Sequence, residues 1–75
     1  MDNRIDNLVH RLINTTNDPG EIHICPICGG VLHVKFSAYV RHRKKMIGVN
    51  IWCDKCKIDI MSDYKVENAP PWISW

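Results

Sequence analysis

All four cysteines of this chain fall in two Cys-x-x-Cys pairs, Cys25/Cys28 and Cys53/Cys56, with residues 29–52 between them. Two residues between cysteines let one tight turn aim both sulfurs at a single ion. Two such turns brought together supply the tetrahedral all-sulfur cage that zinc takes in structural sites. The constraint is severe because the chain is only 75 residues long. A domain of that size buries too little surface to be comfortably stable alone, so a metal clamp is expected to organise the fold.

The same cysteines have two rival uses. Four cysteines suffice for two disulfides in a secreted mini-protein. The opening Met1-Asp2-Asn3-Arg4 lacks the charged-then-apolar layout of a signal peptide, and the paired spacing favours a metal. An iron site of rubredoxin type uses the same ligands, but such knuckles usually carry a glycine after each pair, and here Lys57 follows Cys56. Zinc is the favoured ion. No apolar run approaches the ~18–20 residues that span a bilayer, so a cytoplasmic protein without membrane contact is expected.

Composition narrows the class further. Hydrophobic residues make up 45% and charged residues 24%, which is ordinary for a globular domain and argues against wholesale disorder. The formal net charge is +2. Metal binding requires thiolates, and four of them with one dication remove two positive charges, leaving the loaded protein near neutral. Net charge therefore gives no case for nucleic-acid binding; only local clustering can.

The hydrophobic pattern divides the chain. Residues 2–15 read as an amphipathic helix capped by Asp2 or Asn3, with Ile5, Leu8, Val9, Leu12 and Ile13 on one stripe. Turn formers from Asn14 to Gly20 close it. After Glu21 the period changes to two, and Ile22 and Ile24 lead into the first cysteine pair. Leu32, Val34, Phe36, Ala38 and Val40 share one side of the first strand; Ile47, Val49, Ile51 and Cys53 share one side of the second. In the third, Ile58, Ile60, Tyr64 and Val66 alternate with Asp59, Met61, Asp63 and Lys65, and Ser62 interrupts the apolar set.

Opposed residues of an antiparallel hairpin share a face, so the numbers of each pair sum to a constant, which is odd here. A four-residue loop at 42–45 pairs Val40 with Ile47, Ala38 with Val49, Phe36 with Ile51 and Val34 with Cys53. On the polar side it sets Lys35 against Trp52 and Tyr39 against Gly48. The helix stripe then belongs on the apolar face of the sheet.

With Cys25-Pro26-Ile27-Cys28-Gly29-Gly30, the second pair Cys53-Asp54-Lys55-Cys56 and the hairpin between them, residues 21–66 resemble the zinc ribbon. That resemblance implies two knuckles clamped on one structural zinc at one end of a small antiparallel sheet. It carries little about function, because zinc ribbons serve many roles. Transcript-cleavage ribbons place an acidic pair at the hairpin tip. Here the tip is Arg41-His42-Arg43-Lys44-Lys45, so that activity is not implied.

Candidate functional residues outside the cysteines are of two kinds. Arg41, Arg43, Lys44 and Lys45 suit phosphate contacts, and Lys35, Tyr39 and Trp52 on the outward sheet face suit base stacking. A solvated, solubilising turn and a Lys35–Trp52 contact are the plainer readings of the same residues. The tail from Ala69 to Trp75 carries Trp72 and Trp75, which either fold back onto the domain or dock on a protein partner. His23 and His33 lie near the first pair and could substitute as ligands, although strand residues facing solvent is the simpler expectation. Asp59 and Asp63 read as surface groups, and nothing suggests nucleophilic, acid–base or small-molecule chemistry.

The expectation is a single α+β domain over residues 1–75: helix to residue 15, zinc ribbon over 21–66 and a Pro/Trp tail over 67–75. The helix packs on a three-stranded antiparallel sheet, and Cys25, Cys28, Cys53 and Cys56 bind one structural zinc. Its role is non-enzymatic recognition, with a nucleic acid or, alternatively, a protein as partner, and monomer is the default.

Overall fold

Residues 3–66 and 70–73 are described by a computed structural model. Helix α1 runs Asn3–Ile13 and is followed by strands β1 (Ile22–Ile24), β2 (Val31–Arg41), β3 (Lys44–Cys53) and β4 (Ile58–Lys65). The strands form one antiparallel sheet in chain order, β1-β2-β3-β4. Asp2, one of the two expected helix caps, lies outside the described residues.

The helix buries the expected stripe. Ile5, Leu8, Val9, Leu12 and Ile13 form one cluster with Leu32, Val34, Ile47, Val49 and Ile51 of the sheet, joined by Cys25 and Cys53. At the helix edge, the Tyr64 hydroxyl donates to Asp6 Oδ1 at 2.9 Å, and the His10 ring meets the Tyr64 ring edge-on. The last turn closes locally: the Asn14 side-chain amide and backbone N–H both donate to the His10 carbonyl, and the Thr15 hydroxyl and N–H both donate to that of Leu12.

Two expectations are corrected. The sheet has four strands, not three, because Ile22–Ile24 pairs with the start of β2: Ile22 opposite His33, His23 opposite Leu32 and Ile24 opposite Val31. This places Ile22 and Ile24 on the face away from the helix, where Ile24 is 77% exposed.

The hairpin register also differs. Residues 42 and 43 alone form the β2–β3 turn, so Arg41 pairs with Lys44, Ala38 with Ile47, Phe36 with Val49 and Val34 with Ile51. His42 and Arg43 both take left-handed backbone angles, φ 52° and 63°. A two-residue turn with both central residues left-handed follows the natural twist of the flanking strands, which a longer open loop does not require. The shift is two places, so each residue keeps its face while its partner changes. Lys35 opposes Asn50 rather than Trp52, and Tyr39 opposes Met46 rather than Gly48.

The inner face is covered unevenly. A helix of 11 residues is about 16 Å long, whereas strands of 10 or 11 residues run about 35 Å. Val40, near the hairpin tip, is therefore left 64% exposed although it belongs to the apolar set. Part of the gap is filled by the tail. Trp72 packs edge-on against Phe36, with ring centroids 5.1 Å apart, and its indole N–H donates to the Thr15 carbonyl at 3.1 Å. Pro70 is buried, and Ile73 lies against the core cluster.

Candidate metal centre

Cys25 and Cys28 sit in the β1–β2 connection, while Cys53 ends β3 and Cys56 lies in the β3–β4 connection, and the antiparallel sheet brings both pairs to the same end. In the first, the Cys25 N–H donates to the Gly30 carbonyl at 2.8 Å and the Gly29 N–H to the Cys25 carbonyl at 2.9 Å. Gly29 takes φ 74°, a left-handed angle that only glycine adopts without a Cβ penalty. In the second, Lys57 takes the corresponding place after Cys56 with φ 58°. The turn thus adopts the same backbone form without a glycine.

All four sulfurs lie within 4.8 Å of one another. Cys25 and Cys56 Sγ are 3.8 Å apart and Cys28 and Cys53 Sγ 3.6 Å apart, each pair bridging the two knuckles. A tetrahedral ion with metal–sulfur bonds near 2.3 Å needs sulfurs about 3.8 Å apart, so the cage has the right size. All four cysteines are free of disulfides. Cys25 and Cys53 are only 1% exposed, while Cys28 and Cys56 are half-buried.

Cys28 and Cys56 are shifted in opposite directions by one another. The Cys28 thiol is pulled down to about 7, first by the Cys56 thiol and then by the Gly30 N–H, which lies 3.4 Å from the Cys28 sulfur. Cys56 moves the opposite way, because its proton is held by the Cys28 sulfur and burial disfavours its thiolate. Four sulfurs this close share negative charge poorly, and a dication resolves the conflict by letting all of them ionise. The Lys55 stem lies over Gly30: a Cβ there would stand 3.1 Å from Lys55 Cδ.

Neither histidine joins this cluster. His23 Nε2 is 3.1 Å from the Gly20 carbonyl, and His33 stacks on Trp52 with ring centroids 5.1 Å apart and planes at 7°.

The other candidates divide between the two faces and the tip. Arg41, Arg43, Lys44 and Lys45 are all exposed at the opposite end of the hairpin from the cysteines. Arg41 and Lys44 belong to the outer face, Arg43 to the turn, and Lys45, opposite Val40, to the helix face. Lys35 is exposed on the outer face; Tyr39 and Trp52 are half-buried there. Tyr39 lies across Gly48, where a Cβ would meet its ring at 3.4 Å, and its hydroxyl interacts with Asp63, which raises its pKa. Lys65 extends the basic end through the row Tyr39–Met46–Lys65. The alternation of β4 placed Lys65 on that face, but its neighbours follow only from the observed registers.

Trp72, considered as a partner-binding residue, is engaged within the fold by Phe36 and Thr15. Trp75 lies outside the described residues. Among the described residues no helix is long and apolar enough to cross a membrane. Compared with protein-family models, with curated proteins and with solved structures, the chain matches none.

Proposed function

We propose that this chain is a non-enzymatic, zinc-ribbon-like module whose single structural zinc holds a basic hairpin and an open sheet face for binding single-stranded nucleic acid. Four thiolates complete a tetrahedron and leave no position for substrate or water, which suits a structural ion rather than a catalytic one. Four reduced thiols suit the reducing cytoplasm. The observation that carries the binding reading is the separation of parts. The cysteine cluster sits at one end, and exposed Arg41, Arg43 and Lys44 stand at the other, on or beside the outer face.

That face offers a route from phosphate to base. Lys35, Arg41, Lys44 and Lys65 supply positive charge, and Tyr39 and the His33–Trp52 stack supply ring surface. Cations beside aromatic rings on a sheet suit phosphate contact with bases stacked alongside. Protein docking through the helix stripe has less support, because that stripe is consumed by the core. Docking through Trp72 is similarly disfavoured by its contacts within the chain.

Fluorescence anisotropy of a labelled single-stranded oligonucleotide, measured with zinc-loaded protein across a salt series, tests this reading. Binding should weaken steeply with salt, and Arg43→Ala with Lys44→Ala should flatten the log–log slope by about 1.4. Binding indifferent to salt and to both substitutions would overturn it.

A further inference from the structure

The two edges of the sheet differ in a way that points to a partner. β1 is three residues long and offers little backbone to another strand. β4 is eight residues long, contains neither proline nor glycine, and pairs with β3 through every residue without a bulge. Short edges, bulges, prolines, inward-facing charges and charged side chains along the edge are the usual protections against strand pairing. Of these β4 has only the charges of its outer row; its inner row is Ile58, Ile60, Ser62 and Tyr64, and all four are half-buried. Its charges, Asp59, Asp63 and Lys65, lie in the outer row with Met61, which is 82% exposed.

We infer that β4 pairs antiparallel with β4 of a second copy of this chain, joining two four-stranded sheets into one of eight strands, in place of the monomer expected from the sequence. The charges select the register. With Ser62 opposite Ser62 of the second copy, each Asp59 faces Lys65 of the other chain, Ile60 faces Tyr64, and Ile58 faces Val66. A shift of two places one way sets Asp59 against Asp63, and the other way sets Asp63 against itself. Like charges directly opposed on a sheet are destabilising, whereas opposite charges and apolar pairs are favourable. A shift of one place sets Ile60 against Asp63 and Ile58 against Lys65, and it turns the two helices to opposite faces. Of these registers the central one avoids opposed like charges and leaves both helices on the same side, although it sets Met61 against Asp63. Asp59 and Lys65 take part in no ion pair among the described residues, so pairing across the two-fold axis breaks none of the described ion pairs.

The test is sedimentation equilibrium of the zinc-loaded full chain over a concentration series, with far-UV spectra and zinc content confirming that every variant is folded. The parent chain should dimerise. Asp59→Lys and Lys65→Asp should each weaken the dimer about tenfold, since each replaces two attractive cross-pairs with two repulsive ones. The double variant should recover parental affinity, because the swap restores both pairs. A parent that stays monomeric at millimolar concentration would overturn the inference. So would a dimer indifferent to the single reversals, or single reversals that the double variant does not rescue; either would place the contact elsewhere.

Discussion

Gly29 and Lys57 share one left-handed backbone conformation, φ 74° and 58°, each immediately after the second cysteine of its pair. The knuckle geometry, not the side chain, sets that angle. A residue with a Cβ held there carries a penalty of roughly 1–2 kcal/mol, which glycine avoids. Lys57→Gly should therefore stabilise the folded protein, by roughly 0.5–1 kcal/mol after glycine's greater freedom in the unfolded chain is subtracted. Gly29→Ala should cost about 1–2 kcal/mol, although nothing lies within 4 Å of the added methyl. Urea titrations of both zinc-loaded variants check the pair. Equal midpoints for parent and Lys57→Gly would show that the second knuckle carries no such penalty.

Tyr64 ties β4 to the helix through Asp6. Tyr64→Phe removes that hydrogen bond at a partly buried position and should cost about 0.5–1.5 kcal/mol at neutral pH. The phenol is pushed up to about 12, first by burial and then by Asp6, so the fold favours its protonated form. That contribution is fully present below about pH 10, the ordinary tyrosine value, and is lost as pH rises toward 12. The phenylalanine variant cannot form a phenolate, so its stability should fall less over that window. Tyr39, raised by Asp63, remains in both proteins and supplies the shared part of the alkaline loss. Denaturation at neutral pH and near pH 11 separates the two.

The Trp72 indole rests on Phe36 and donates to Thr15. Trp72→Ala uncovers Phe36 and leaves the Thr15 carbonyl without this partner. Because the indole is only half-buried, the expected loss is about 1–3 kcal/mol, below that of a fully buried tryptophan. A denaturant midpoint equal to that of the parent would show that the tail contributes nothing to the domain.

What was legible in the sequence follows from the strength of each local signal. Ile5, Leu8, Val9, Leu12 and Ile13 repeat with helical spacing, and that stripe is the one buried. The two cysteine pairs announce a cluster because their spacing constrains sulfur positions directly. β1 was hidden: three residues are too few for a period, and its two isoleucines face away from the core. The register failed at His42-Arg43, since neither residue advertises a left-handed turn as asparagine or glycine does. The shift of two places preserves parity, so each residue keeps its face while its cross-strand partner changes, although Val40 on that inner face is exposed. The destination of Trp72 depends on Phe36 and Thr15, far away in the chain, which no local pattern encodes.

The proposed zinc ion, held by Cys25, Cys28, Cys53 and Cys56, is expected to organise the fold. Native mass spectrometry of the protein before and after chelation, with a far-UV spectrum of each sample, tests it most directly. One zinc per chain, a chelated mass with all four thiol hydrogens present and loss of the folded spectrum when the metal leaves are the expected results. A metal-free chain lighter by those four hydrogens, with its folded spectrum intact, would contradict them.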